Sequence, residues 1–200
     1  MIYVIDDDPS VREAIQNLLE SVGMAAQVFA STYEFSRADH PPEPSCLILD
    51  VRLPGVSGLE FQSTLKKQGV SLPIIFITAH GDVPMTSRAM KAGAIEFLMK
   101  PFQKQELLAA VRHGLERDEA SRREQAEIGA LQSRFEQLTM REREVMQLVA
   151  AGRTNKEIGA TLGLSEVTVK IHRSHMMQKM QVASVAELVR ISDRLQSGRS

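Results

Sequence analysis

The sequence contains the stretch Cys46-Leu47-Ile48-Leu49-Asp50, in which an apolar run ends abruptly on a carboxylate. The N-terminus repeats this pattern, because Ile2-Tyr3-Val4-Ile5 leads directly into Asp6 and Asp7. Short, continuous apolar runs are typical of strands that are buried on both faces of a parallel sheet. If the two strands are neighbours, their carboxylates meet at one sheet edge, where a cation or protons must neutralise them.

The first 116 residues alternate between apolar runs and helical patterns. The five predicted strands are Ile2–Ile5, Ala25–Phe29, Cys46–Leu49, Ile74–Ile77 and Ala94–Met99. The predicted helices lie near Val11–Ser21, Ser31–Ala38, Leu59–Gln68, Met85–Lys91 and Gln103–Glu116. This alternation predicts an α/β domain over residues 1–116, built on a doubly wound five-stranded parallel sheet with helices on both faces.

The rest of the chain carries helical signals only. Residues 117–137 are rich in Glu, Arg, Gln and Ala, which predicts a helical linker that extends the preceding helix. Residues 138–200 are predicted to form a small all-α domain of four helices that is too small to enclose a catalytic cleft. The net charge is −4 over residues 1–116 and +4 over residues 138–200, which indicates different partners for the two ends.

The composition, 43% hydrophobic and 24% charged, is that of a soluble globular protein. The single cysteine, Cys46, excludes an intrachain disulfide and is predicted to pack in its strand rather than to react. No apolar run approaches the ~18 residues of a membrane-spanning helix, and the N-terminus lacks a signal-peptide pattern. We therefore expect a cytoplasmic protein with no membrane partner.

Polar residues follow four of the predicted strands. Asp6 and Asp7 follow the first strand, Asp50 the third, Thr78 the fourth and Lys100 the fifth. Each alone has an ordinary explanation, since an aspartate after a strand is usually a turn residue or a helix cap. In an open parallel sheet, however, ligands bind beyond the carboxyl ends of the strands, where all five residues are predicted to lie.

Together these residues predict a phosphoryl-transfer site. Mg²⁺ prefers oxygen ligands, which Asp7, Asp50 and the backbone carbonyl of Arg52 can supply. An aspartate carboxylate can attack phosphorus to give an acyl phosphate. Thr78 and Lys100 can then contact oxygens of the phosphoryl group.

The pattern Asp6-Asp7, Asp50, Thr78-Ala79 and Lys100-Pro101 resembles the receiver domain of bacterial two-component response regulators, and stretches 81–85, 90–94 and 96–102 resemble its FixJ/NarL family. The resemblance implies a flavodoxin-like fold with Asp50 as the phosphoacceptor. It implies that Asp7 and Asp50 bind Mg²⁺ (or Mn²⁺), that Asp6 acts through water, and that Thr78 and Lys100 contact phosphate.

The same resemblance implies that the aromatic residue three positions before the lysine, here Phe97, changes rotamer on activation. Two positions differ in detail from that family pattern. Asp8 stands where many receivers carry Glu, which keeps the acidic charge, and His80 is predicted to be a loop residue rather than a phosphate carrier.

The C-terminal part contains a helix, a short turn at Leu162-Gly163-Leu164, and a second helix from Ser165 to Lys179. In a helix-turn-helix the second helix enters the major groove of DNA. The core-facing residues of this helix are predicted to be Val167, Ile171 and Met177. The opposite side is predicted to carry Thr168, Lys170, Ser174 and Gln178, with Arg173 beside it.

This region resembles the LuxR-type helix-turn-helix, with Gly159 at a position where that family commonly has Ala. The resemblance implies that Lys170, Ile171 and Ser174 read bases. The full set of predicted DNA-binding residues is Thr168, Lys170, Ile171, Arg173, Ser174, Lys156 and Lys179. Charge alone would be weaker evidence, since a cationic amphipathic helix is usually a solvated surface.

These inferences predict a phosphorylation-dependent transcriptional regulator. A sensor histidine kinase would phosphorylate Asp50, the face around Phe97 would change, and the chain would form a homodimer. The dimer would bind double-stranded DNA through the helix Ser165–Lys179, with RNA polymerase as a further partner. The chain is not expected to be an enzyme beyond self-phosphorylation from a donor and slow autodephosphorylation.

Two alternatives remain open at this point. A haloacid-dehalogenase-like phosphatase also uses a strand-end aspartate with Mg²⁺, but it requires a second aspartate two residues later, where this chain has Arg52. A protein-interaction adaptor would use the helical end to bind proteins. DNA retention that falls steeply with salt would favour the nucleic-acid function over the adaptor.

Overall fold

The computed structural model describes residues 1–197, and the chain divides into two compact units between Arg122 and Arg123. In order, the elements of the first part are β1 (Ile2–Ile5), α1 (Pro9–Ser21), β2 (Ala26–Phe29), α2 (Thr32–Arg37), β3 (Cys46–Asp50), α3 (Gly58–Lys67), β4 (Ile74–Thr78), α4 (Val83–Lys91), β5 (Glu96–Met99) and α5 (Lys104–Glu136). The second part continues with α6 (Met140–Ala150), α7 (Asn155–Leu162), α8 (Glu166–Met180) and α9 (Val185–Ser197).

The first unit is built on one parallel sheet of five strands in the order β2-β1-β3-β4-β5, which confirms the predicted fold class. The order reverses between β1 and β3, and at such a switch point a crevice opens beyond the carboxyl ends of the strands. Ile5 of β1 is in register with Leu49 of β3, and Asp50 is in register with Ile77 of β4. The residues that follow β1 and β3 are therefore brought together at this crevice.

Both faces of the sheet are covered, because successive strand side chains point to opposite faces. Val4 and Ile48 belong to one buried cluster with α1 and α5, whereas Tyr3 and Leu47 belong to the other. Cys46 is fully buried in the first cluster, and burial raises the pKa of its thiol to about 12. The prediction that Cys46 packs in its strand is thus confirmed.

Helix α5 continues well past Glu116, through most of the predicted linker, to Glu136. The boundary between the two compact units lies within this helix. In the first unit, the buried carboxylate of Asp118 accepts a 2.8 Å hydrogen bond from the backbone N–H of Ser45 and lies 2.6 Å from Nε of Arg122. These bonds anchor α5 to the segment that enters β3. The exact domain limits at 116 and 137 stay predictions.

Helices α6 to α9 of the second unit surround a single buried cluster that includes Val145, Ile158 and Met176, which confirms the predicted four-helix architecture. Thr139 and Thr154 each form a reciprocal capping box, and Ser165 caps α8. Along residues 1–197, no helix is both long and apolar enough to cross a membrane.

Gly159 is buried where α7 approaches the turn that follows it. A Cβ atom at this position would lie 2.7 Å from the backbone carbonyl oxygen of Leu164, closer than real contacts allow. The Leu164 N–H donates a 2.9 Å hydrogen bond to the Gly159 carbonyl, which holds the turn against the helix. Glycine at this position therefore permits a close approach of the turn to the helix.

Candidate functional site

Three carboxylates lie together at the carboxyl end of the sheet. Asp6 follows β1, Asp7 is next to it, and Asp50 ends β3; their ligand oxygens all lie within 4.8 Å of one another. Asp6 and Asp50 are buried, whereas Asp7 is exposed. Carboxylate oxygens are the donors that Mg²⁺ prefers, and an exposed member leaves a path for a hydrated ion. The donor set therefore fits a divalent cation of this kind.

Lys100, which follows β5, reaches across β4 to the same carboxylates. Its Nζ lies 2.5 Å from Oδ2 of Asp6 and 2.7 Å from Oδ2 of Asp50. Burial alone would lower the pKa of Lys100, but hydrogen bonds to Asp50 and Asp6 raise it overall. The side chain is therefore a stable cation among the carboxylates.

Burial acts in the opposite sense on Asp6. It raises the pKa of the Asp6 carboxyl above its ordinary value, and the hydrogen bond from Lys100 offsets only part of this effect. The cluster thus combines a buried carboxyl whose pKa is raised with an ammonium whose pKa is also raised. A second positive charge placed among these oxygens would favour the ionised form of Asp6.

Both oxygens of the Asp50 carboxylate have partners. Oδ2 is paired with Lys100, and Oδ1 accepts a 2.9 Å hydrogen bond from the backbone N–H of Arg52. This bond places the Arg52 backbone beside the cluster, where its carbonyl is the predicted metal ligand. The Lys100–Pro101 peptide bond is cis.

Gly58 packs directly against the end of β3, a role that the sequence patterns do not predict. A Cβ atom at position 58 would lie only 2.4 Å from the backbone carbonyl oxygen of Asp50. The Gly58 N–H also donates a 2.9 Å hydrogen bond to the carbonyl of Val51. The signal in the sequence is a glycine directly after Ser57, which caps α3.

Thr78 ends β4 and is fully buried. Its hydroxyl donates to the backbone carbonyl of His80 at 3.2 Å and accepts from the His80 N–H at 3.3 Å. In this conformation the hydroxyl is therefore hydrogen-bonded to the loop after β4. A contact between Thr78 and a phosphoryl oxygen stays a prediction, and it requires this hydroxyl to change partners.

Phe97 of β5 is half-buried, and its ring centroid lies 6.2 Å from that of Phe76. On the loop after β4, a Cβ atom at Gly81 would lie 2.9 Å from Cε1 of Phe97 and 3.4 Å from Cγ2 of Thr78. Thr78, Gly81 and Phe97 thus form one packed group. Any movement of the loop after β4 changes the space available to the Phe97 ring.

The structure corrects the predicted faces of α8. Val167 and Ile171 were expected to face the core, but their side chains are 66% and 49% exposed. The fully buried residues of this helix are Val169, Met176 and Met180, and Met177, also predicted to face the core, is half-buried against the same cluster. The exposed stripe consists of Val167, Lys170, Ile171, Ser174, His175 and Gln178. The predicted core positions of Val167 and Ile171 are wrong, because both residues lie on the side of the helix opposite the buried Val169.

The other predicted DNA-binding residues differ in their surroundings. Lys156 is exposed on α7. Thr168 is part of the helix cap, since its hydroxyl lies 2.8 Å from Oγ of Ser165. Arg173 donates to Oδ1 of Asn155 at 3.1 Å. Three of the seven predicted residues, Thr168, Arg173 and Lys179, therefore already have partners within the domain.

Lys179 forms an ion pair with Glu142 across the second unit, with Nζ 2.7 Å from Oε2. Burial alone would raise the pKa of Glu142, but the hydrogen bonds from Lys179 and Thr139 lower it below its ordinary value. Glu142 also completes the capping box of α6. Lys179 therefore stabilises the domain by joining α8 to the start of α6.

Comparison with known proteins gives two family matches. Residues 2–112 match the response regulator receiver domain, and residues 136–192 match the luxR family of bacterial regulatory proteins. The chain is 50% identical over 195 residues to nodulation protein W of Bradyrhizobium diazoefficiens, covering 98% of this chain and 86% of that protein.

Two solved structures are similar over nearly the whole chain. The response regulator StyR is 47% identical, with a TM-score of 0.87 and coverage of 96% of this chain and 98% of that one. Full-length FixJ from B. japonicum is 37% identical, with a TM-score of 0.58 and coverage of 98% and 97%.

Proposed function

Since this chain belongs to the response regulators that join a receiver domain to a LuxR-type DNA-binding domain, we propose that phosphorylation of Asp50 controls its activity in transcription. A receiver domain implies a histidine kinase as partner, and a LuxR-type domain implies DNA binding. The single observation that supports Asp50 most strongly is its carboxylate, which lies 2.7 Å from the Lys100 ammonium within the acidic cluster.

In the proposed reaction, an Asp50 oxygen attacks the phosphorus of a phosphohistidine on the kinase. A P–O bond forms and the P–N bond breaks, so the imidazole nitrogen keeps the electron pair and takes up a proton. Asp7, Asp50 and the Arg52 carbonyl would hold Mg²⁺ (or Mn²⁺) directly, and Asp6 would act through water. The bound ion would neutralise charge on the carboxylates and the phosphoryl group.

The positive charge of Lys100 would stabilise the negatively charged phosphoryl group in this reaction. Its ammonium already contacts the carboxylates at 2.5 and 2.7 Å, so a short movement would bring it to a new phosphoryl oxygen. Charge-assisted hydrogen bonds of this kind are roughly twice as strong as neutral ones. Thr78 would supply a second contact once its hydroxyl leaves the His80 backbone.

The output of the first unit is proposed to be a change in the surface formed by α4 and β5. If Thr78 moves toward the phosphoryl group, the packing of Phe97 beside it and Gly81 must change. The α4–β5 surface exposes Val83, Met90 and Met99, with Val83 83% exposed. Exposed apolar residues on these two elements are available for association between copies of the chain, which supports homodimer formation after phosphorylation.

The dimer would present two α8 helices to paired half-sites on double-stranded DNA. Joining two binding helices raises the effective concentration of the second, which strengthens binding without any new contact. Lys170, Ile171 and Ser174 are all exposed on α8, as base contacts require. RNA polymerase is the further partner in this proposal, and DNA binding in a bacterium requires a cytoplasmic location.

We do not expect this chain to turn over phosphate esters. A haloacid-dehalogenase-like phosphatase requires an acid two residues after the nucleophile, and here the exposed Arg52 occupies that position. The acyl phosphate on Asp50 is therefore expected to hydrolyse slowly and to act as a signal. Self-phosphorylation from a small donor and slow autodephosphorylation are the reactions that the proposal allows.

The test is phosphorylation of the full chain with acetyl phosphate and Mg²⁺. We expect an acyl phosphate that mass spectrometry locates at Asp50, together with a shift from monomer to dimer in sedimentation. Asp50→Asn should show neither effect. Phosphate-dependent dimer formation by Asp50→Asn would contradict the proposal, and rapid hydrolysis of phosphate esters by the wild-type chain would favour the phosphatase.

A further inference from the structure

Helix α8 exposes two apolar residues, Val167 and Ile171, that lie outside the buried core of the second unit. Val167 is 66% exposed, and Ile171, one turn later on the same face, is 49% exposed. Val169 lies on the opposite face and is fully buried in the core. The pair flanks the exposed Lys170, so the same surface carries a cation and two branched apolar side chains.

Val167 occupies the first turn of α8, where Ser165 is the helix cap and Glu166 the first helical residue. The N-terminal residues of a recognition helix are those that contact base edges in the major groove. The polar neighbour Thr168 already has a partner for its hydroxyl, 2.8 Å away at Oγ of Ser165. Val167 is thus a prominent side chain of this turn without a role in the cap or the core.

We propose that Val167 is a specificity-determining residue that contacts the C5-methyl group of a thymine, an inference that rests on the proposed DNA-binding function. The thymine methyl is the apolar group that base pairs present in the major groove. A valine side chain has no hydrogen-bonding group, so it can favour thymine only through this methyl. Contact would remove both apolar surfaces from water.

The helix geometry also gives the spacing of the contacted bases. Val167 and Ile171 are four residues apart, which corresponds to about 6 Å along an α-helix. Successive bases on one strand are about 3.4 Å apart. A helix lying along the groove therefore places the two side chains about two base pairs apart, with Lys170 beside them.

The experiment starts from DNA selected by the full chain. Protein treated with acetyl phosphate and Mg²⁺ selects duplexes from a random library, and the enriched sequence is synthesised. Each thymine is then replaced singly by uracil, which removes the methyl group and keeps the base pairing. Dissociation constants at one fixed salt concentration are measured for the wild-type chain, Val167→Ala and Met140→Ala. Met140 is the control because it is 77% exposed and lies on α6.

Replacing one particular thymine by uracil should weaken DNA binding by the wild-type chain about fourfold. This is the effect expected from losing the burial of roughly one methylene group. Val167→Ala should bind the thymine duplex several-fold more weakly and show no further loss with uracil at that position. Met140→Ala should keep the wild-type profile. Val167→Ala should remain folded, because the residue is exposed and Ala is a better helix former.

The inference is overturned if Val167→Ala binds as tightly as the wild-type chain and keeps every uracil effect. An enriched sequence in which no thymine is sensitive to uracil also overturns it. Both results leave the proposed DNA-binding function intact, because a sequence has been selected. Failure of the phosphorylated chain to enrich any sequence, even at low salt, would instead refute the DNA-binding function together with the inference.

Discussion

Gly58→Ala tests how closely α3 must approach the strand that carries Asp50. The new Cβ atom would lie 2.4 Å from the Asp50 carbonyl oxygen, whereas an ordinary van der Waals contact is 3.4–4 Å. The Asp50 carbonyl belongs to the backbone and cannot rotate away from the new Cβ atom. Helix α3 or the end of β3 must therefore move by about 1 Å. Overpacking of this kind lowers the free energy of unfolding by about 1–3 kcal/mol. Replacing a helical glycine by alanine raises it by up to about 1 kcal/mol. We expect a net loss of about 1–2 kcal/mol, the middle of the range that these two effects allow.

Gly129→Ala is the matched control, because a Cβ atom at that exposed helical position meets nothing within 4 Å. It should stabilise its helix by up to about 1 kcal/mol. Hydrogen exchange reports on the two units independently. Gly58→Ala should speed exchange in peptides from β3 and leave exchange in peptides from α6 unchanged. Displacement of Asp50 should also slow its phosphorylation, by up to about 100-fold.

A Gly58→Ala chain in which the exchange of β3 and the rate of phosphorylation both stay at wild-type values would refute this close approach. Slower phosphorylation with unchanged exchange would also contradict it, since the proposed cause is movement of the strand end. A loss of stability seen equally in both units would show that the substitution acts elsewhere.

Three further predictions concern other parts of the chain. Gly81→Ala should displace the Phe97 ring and change the dimer dissociation constant of the phosphorylated chain at least about fivefold, measured by sedimentation; an unchanged constant would contradict the proposed role of this packing. The pKa of Glu142 is lower in the folded state than its ordinary value of 4.5. The Glu142 carboxylate therefore stabilises the folded state fully above pH 4.5, and this contribution is lost as the pH falls through the folded-state pKa. Lys179→Met should remove part of this pH dependence and cost about 1–3 kcal/mol at pH 7, which urea unfolding of the second unit at several pH values can measure; an identical pH profile would be evidence against the ion pair. Cys46, buried with a pKa near 12, should react with iodoacetamide at pH 8 only as fast as the unit opens, and rapid labelling of the folded chain would exclude this burial.

The sheet could be predicted because its strands are short apolar runs that end on functional residues. The fully buried strands β1 and β3 can be recognised because almost all of their residues are apolar. Ligand sites of open parallel sheets lie at the carboxyl ends of the strands, which places Asp6, Asp50 and Lys100 at one edge. The 2.5 Å contact between Lys100 and Asp6 could not be predicted, because it depends on how far a lysine side chain reaches across β4.

The differences between the sequence-based predictions and the structure have physical causes. The predicted core position of Val167 is wrong because the helical period of α8 places Val169 inward and Val167 on the opposite side. Gly58 and Gly81 were not recognised because their importance lies in close approaches between distant segments. Such approaches leave no local pattern beyond the glycine itself.

The central claim is that phosphorylation of Asp50 increases DNA binding through α8. The most direct measurement is the dissociation constant for a selected duplex, with and without acetyl phosphate and Mg²⁺, for the wild-type chain and Asp50→Asn. We predict that the donor tightens binding by the wild-type chain at least about tenfold, as expected when a dimer engages two half-sites, and leaves Asp50→Asn unchanged. Equal tightening of both proteins, or of neither, would contradict the account.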